Sequence, residues 1–193
     1  MINITQMAYT MQDSCQEKRE SLVKHKSHFD RAGLSFAFRF CLYSSIGLGW
    51  LHFGEVDFLL QPMLILLAKI VGEILSMTGL AVIVLGQKVV YPGIFGIDIA
   101  NECSAVFQMI IVASALFAYS TILRLRLLGL FLFAAIIFVG NILRLVSLFW
   151  MGIWAEEHFD FVHFYVWGGL SYIGLLILLL IWMRFAYRPR LPN

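Results

Sequence analysis

Three stretches of this chain, 104–122, 127–150 and 164–183, are almost unbroken apolar runs about as long as a bilayer is thick. A helix needs about 20 apolar residues to cross the hydrocarbon core. Inside lipid, only a helix or a closed barrel satisfies its own backbone. A further apolar run covers roughly 35–53, with Arg39 near its start, where the long stem reaches the headgroups. The composition agrees. Of 193 residues, 61% are hydrophobic and 13% charged, against about 25% charged in a soluble domain. Together these features predict an all-α, polytopic transmembrane bundle of about five to six helices. It forms a single domain over 34–188, after a polar N-terminal segment at 1–33.

The stretch 59–86 is harder to read. Lys69 and Glu73 stand i, i+4 and form a potential pair, and Gln61, Ser76 and Thr78 add polarity. One tilted helix, a broken helix, and an interfacial helix with a re-entrant piece all fit it. At 88–100 the pattern changes, with β-branched residues around Pro92-Gly93. This predicts a small hairpin or short extended loop leading to Cys103.

Charge near the helix ends sets orientation. The Arg124-Leu-Arg126 turn and the arginines at 184, 188 and 190 both read as cytoplasmic, with two helices between them. Cys103 and the acidic loop 151–162 then face outward. The N-terminal half disagrees. Lys18, Arg19, Lys24, Lys26 and Arg31 also read as cytoplasmic, so a full crossing by 59–86 would place Cys103 inside. Either that stretch does not cross fully or the tail is outside. No short apolar core with a small-residue cleavage site precedes the first span, so that span is expected to remain as an anchor.

A net charge of +2 gives no reason to expect a nucleic-acid partner. Cys15, Cys41 and Cys103 lie far apart without a CxxC pair, which argues against a disulfide framework or a thiolate zinc site. No His-Glu-x-x-His, Gly-x-Ser-x-Gly or phosphate-binding glycine loop is present. No cofactor is expected.

Three polar residues at the edges of the apolar spans carry the chemistry. Cys103 follows Asn101-Glu102, where loop becomes helix. Asn101 is expected to cap that helix and set the thiol in its first turn, where the helix terminus favours a thiolate. The bland alternative is a small buried filler. Arg144, Asn141 and Ser147 are three apart and form one polar stripe on a helix. Arg144 lies about 9 Å below Trp150 at 1.5 Å per residue, and either snorkels or faces a polar interior. His163 opens the last span among aromatics. It is either an interface residue or a proton carrier; a metal site with His158 and nearby carboxylates matches no strong motif. A thiol, a guanidinium and an imidazole on one membrane face suit thiol-based acyl transfer.

The order Asn101-Glu-Cys-Ser-Ala, Asn141-Ile-Leu-Arg and Phe159-Asp-Phe-Val-His-Phe-Tyr-Val-Trp-Gly resembles the exosortase/archaeosortase family over about 80–185. These are multi-pass membrane enzymes proposed to be cysteine transpeptidases. The resemblance implies Cys103 as nucleophile, Arg144 as the stabilising cation and His163 as acid/base, supported by Asn141 and Ser104. It implies a cell-membrane (inner-membrane) enzyme with an extracytoplasmic site. Its substrate would be a secreted protein whose C-terminal sorting tail carries a motif, a membrane helix and a basic cluster. Where the family has glycine after Cys-Ser, this chain has Ala105. Two other functions fit the residues. One is a non-enzymatic subunit of an export or polysaccharide-assembly system. The other is a small transporter using Lys69, Glu73 and Arg144, although paired broken helices are missing.

Overall fold

The computed structural model describes residues 33–52 and 57–186. The basic tail before Gly33, positions 53–56 of the acidic turn, and Arg188 and Arg190 lie outside the described residues. Helix α1 (Gly33–His52) and α2 (Asp57–Met77) precede a small sheet, and α3 (Val106–Ala118) and α4 (Leu123–Trp154) follow it. A last helical run comprises a 3-10 turn (Glu156–His158), α5 (Phe159–Phe161), a π-helical segment (Val162–Trp167) and α6 (Gly168–Ala186). Four helical runs are long and apolar enough to cross a bilayer: α1, α2, α4 and the last. The chain is a membrane protein built as an α-helical bundle. Helix α3, expected to span over 104–122, is a 13-residue helix, about 20 Å long.

The stretch 59–86 is not one helix, because α2 ends at Met77. Helix α2 buries Leu64, Leu67, Ala68, Val71 and Leu75 on one stripe at helical spacing. It stops at Gly79, whose φ of 92° lets Leu80 N–H return to the Leu75 carbonyl. The next residues form β1 (Ile83–Leu85), a strand missed in the sequence. Two antiparallel strands follow, β2 (Lys88–Tyr91) and β3 (Phe95–Asp98), in the order β1-β2-β3. Gly86 (φ 64°) turns the first hairpin. Pro92 and Gly93 (φ 77°) turn the second, with Ile94 N–H donating to the Tyr91 carbonyl, the chemistry of a type II turn.

Two cores divide the molecule. One joins the buried stripe of α2 to Val89 and Ile99 and to Leu145 and Phe149 of α4. The ring of Phe95 occupies the space beside Gly152 and packs edge-on to Phe149. The sheet is thereby fixed to the C-terminal end of α4. The other core packs Val112 and Leu116 of α3 against Phe133 and Ile137 of α4, with Leu175 and Trp182 of α6 against them. At the far end, Tyr119 donates to the Met183 carbonyl and accepts at its own carbonyl from Arg126. Phe36 of α1 sits edge-on to Tyr119, and Gly47 meets Ile110. Helix α1 therefore runs antiparallel to α3. It starts at the end bearing Arg124, Arg126 and Arg184 and finishes toward the end bearing Cys103.

Lys69 and Glu73 are exposed on α2 and form no ion pair with each other. Neither lines the cavity among α3, α4 and the last helical run that Arg144 lines. The polar pathway that a transporter needs is not assembled from these three residues.

Candidate active site

The chain reaches Cys103 through a single 3-10 turn, Asn101–Ser104, that leaves the sheet after β3. Asn101 does not cap α3, contrary to the sequence expectation. It opens the 3-10 turn, and the residue that caps α3 is Ala105, held at φ 62°. The thiol therefore precedes the helix and does not sit in its first turn. Side-chain chemistry in the turn explains the break. The buried Ser104 hydroxyl donates to the Asn101 carbonyl and accepts from Val106 N–H at 3.3 Å, the first amide of α3. Cys103 N–H is already spent on the Ala100 carbonyl at 2.9 Å.

Helix α4 fixes the turn from the other side. Asn141, 5% exposed, donates its side-chain amide to the Cys103 carbonyl at 2.8 Å. The two residues are 38 apart in sequence, so this bond ties the thiol-bearing turn to the helix that carries Arg144. The polar stripe expected on α4 separates into three functions. Asn141 reaches Cys103, Arg144 lines a neighbouring cavity, and Ser147 bonds back to the Arg144 carbonyl of its own helix.

His163 brings the imidazole. Its Nε2 lies 3.8 Å from Cys103 Sγ, across 60 residues of sequence. The ring packs between Phe159 and Phe164, at centroid distances of 5.6 and 4.6 Å. It stands in the π-helical segment, whose wider turn changes the angle at which side chains project relative to α6. His158 points elsewhere, pairing with Glu157 at 3.5 Å. Among the described residues, no group of three His, Cys, Asp or Glu side chains gathers to hold a metal ion.

Cys103 and His163 open onto a cavity of about 230 Å³. All four residues of β3 wall it, and Leu145, Leu148 and Phe159 complete it. A second cavity of about 180 Å³ lies among α3, α4 and the last helical run, with Gln108, Asn141, Arg144, Trp167 and Ser171 in its lining. Arg144 Nε is buried there without a hydrogen-bond partner. The structure thus brings Cys103, His163 and Asn141 together, and places Arg144 beside them in the adjoining cavity. Phe95, Gly96 and Phe159 were missed in the sequence. The one available signal was a glycine inside a strand.

No curated protein and no solved structure matches the chain. The family model described as Transmembrane exosortase (Exosortase_EpsH) matches residues 32–183, a span that takes in α1, both cavities and every residue of the thiol–imidazole site, and the chain belongs to that family.

Proposed function

We propose that this protein is a membrane-embedded cysteine peptidase or transpeptidase acting on the C-terminal sorting tail of secreted proteins. The observation that carries the reading is the approach of His163 Nε2 to Cys103 Sγ at 3.8 Å, within one cavity. A thiol beside an imidazole is an activated nucleophile with its base in reach, and such contacts tighten once substrate is bound.

His163 takes the Cys103 proton as sulfur attacks the scissile carbonyl carbon. The carbonyl oxygen becomes an oxyanion, and Arg144 reaches from the adjoining cavity to offset that charge. When the tetrahedral species collapses, the C–N bond breaks. The amine, bearing the membrane helix of the tail, leaves with the proton from His163. A thioester remains on Cys103. Water or an acceptor amine then attacks this thioester and passes its proton to His163, and sulfur departs as the thiolate, which recovers the proton. The first acceptor gives hydrolysis and the second gives transfer. Cys103 faces the extracytoplasmic side, opposite the arginine-rich end of the bundle.

The test is processing of a co-expressed exported protein that ends in a short motif, an apolar helix and a basic cluster. Wild type and Cys103→Ala are compared at matched membrane levels. Loss of processing of at least a hundredfold in the variant is expected, with His163→Ala similarly impaired. Equal processing by Cys103→Ala overturns the reading and leaves a non-enzymatic membrane subunit.

A further inference from the structure

Strand β3 ends the sheet, with β2 on one side and no strand on the other among the described residues. Its register fixes which backbone groups face which way. Tyr91 pairs with Phe95 and Val89 with Ile97, and Ile99 N–H donates to the Gln87 carbonyl. Phe95, Ile97 and Ile99 therefore spend their backbone groups on β2. Gly96 and Asp98 turn theirs to the open edge, where Asp98 carbonyl accepts from Ala100 N–H. The Gly96 N–H and C=O remain as a pair presented outward, and an open strand edge is a template for a further strand.

This edge belongs to the cavity that holds the thiol. Phe95, Gly96, Ile97 and Asp98 all line it together with Cys103 and His163. Whatever Cys103 reacts with must occupy that cavity, so the occupant lies against β3. Gly96 is exposed and offers no side chain to cover its edge amide. The fold does not require glycine there. Its φ is not left-handed, and an added Cβ would meet Val90 Cγ2 only at an ordinary 3.4 Å.

Resting on the reading of Cys103 as nucleophile, we infer that the segment to be cleaved docks in extended form as a fourth strand on β3. One of its residues exchanges both backbone hydrogen bonds with Gly96. Its scissile carbonyl lies a few residues along, at Cys103. A neighbouring side chain fills the space between Phe95, Leu145, Leu148 and Phe159. Backbone pairing gives affinity that tolerates many sequences, and the apolar space reads one side chain. The substrate class is thus an unfolded, extended peptide without proline at the paired position.

The test uses the purified full chain in detergent and reads labelling of Cys103 by mass spectrometry. The probes are iodoacetamide and pooled tetrapeptidyl vinyl sulfones, in which thiol addition to the vinyl carbon forms the C–S bond. Gly96→Pro removes the outward N–H at an edge position where proline is tolerated, and Gly96→Ala retains it. The expected result is at least tenfold slower peptidyl labelling of Gly96→Pro, with Gly96→Ala within threefold of wild type and iodoacetamide rates unchanged. On the wild type, N-methylation of the probe backbone is expected to slow labelling at alternate residues, since only every second residue faces the partner strand. Should Gly96→Pro fail to fold, this second measurement decides. Equal peptidyl labelling of Gly96→Pro and wild type, or no alternation in the N-methyl series, overturns strand docking while leaving the nucleophile reading intact. Cys103 reacting with iodoacetamide no faster than Cys41, and not at all with the peptidyl probes, overturns both.

Discussion

Ala105 stands where the family resemblance implies glycine, and the structure gives that position a definite conformation. It is buried and held at φ 62°, the one non-glycine residue with positive φ among those described. A side chain in the left-handed region brings Cβ against the following carbonyl, at about 1–2 kcal/mol. The conformation falls at the junction where the 3-10 turn bearing Cys103 ends and α3 begins. Ala105→Gly relieves the clash and restores some unfolded-chain entropy, which offsets part of the gain. The net stabilisation is about 0.5–1 kcal/mol, which corresponds to a Tm rise of about 1–4 °C for a chain of this size. Thermal unfolding in detergent checks it. An unchanged or lowered Tm would show that Ala105 is accommodated without strain. The sequence could reveal that a substitution had occurred at 105, but not that its cost is conformational, because φ is set by how two elements join. Cys103 and His163 were legible for the opposite reason. Their chemistry is conspicuous at the edges of apolar spans, whatever the backbone does. The partner of Asn141 was not legible, since a carbonyl 38 residues away leaves no mark on local pattern.

Elements were legible where lipid dictates them and obscure where only the protein does. The 3.6-residue stripe of α2 and the long runs of α4 and α6 follow from the need to satisfy a backbone in an apolar solvent. Strand β1 escaped because Leu80–Leu85 is a short apolar run, and periodicity alone does not separate such a run from the end of a helix. The Pro92-Gly93 turn did announce its hairpin. The π-helical segment is the least legible element of all, yet it carries the imidazole. A π segment is one residue more than an α-helix needs, and such insertions concentrate at functional sites. Deleting Tyr165, which is 71% exposed and stacks on Phe161, removes the extra residue without removing a buried one. The segment then closes to α-helical pitch, and His163 turns by about 100° relative to α6. The expected outcome is normal membrane insertion, processing reduced at least a hundredfold, and iodoacetamide labelling of Cys103 slowed toward that of Cys41. Retained processing in the deletion would show that His163 is positioned by Phe159 and Phe164 alone, with no dependence on the π turn.

At the scale of the whole molecule, the structure bears on the conflict between the charges of the two halves. Helix α1 begins beside Tyr119 and so shares an end with Arg124, Arg126 and Arg184. Its other end, His52, lies toward Cys103. Four residues and five residue-to-residue steps separate His52 from Asp57, a reach of at most about 18 Å at 3.3–3.6 Å per step. That is well short of the roughly 30 Å hydrocarbon core, so α2 does not start back at the arginine end. Nor does it finish there. Gly72 packs on Val84, and the same sheet packs through Phe95 on Phe149 and Gly152 at the C-terminal end of α4. Helix α2 is long and apolar enough to cross, but both its ends are held toward the thiol side. Its exposed face runs from Phe58, Leu59 and Leu66 to Lys69 and Glu73, as suits a helix rising obliquely out of lipid into the interface. We therefore predict that α1 crosses once and that Gly33 shares the cytoplasmic side with Arg124, Arg126 and Arg184, as the positive-inside rule asks. The prediction is read by a membrane-impermeant maleimide on single cysteines in a background with Cys15, Cys41 and Cys103 changed to serine. Cysteines at Glu55 and Gln87 are expected to label from the same, extracytoplasmic side, and those at Gly33 and Ser120 only after permeabilisation. Labelling of positions 55 and 87 from opposite sides would mean that α2 crosses, and would return the N-terminal tail to the face that carries the thiol.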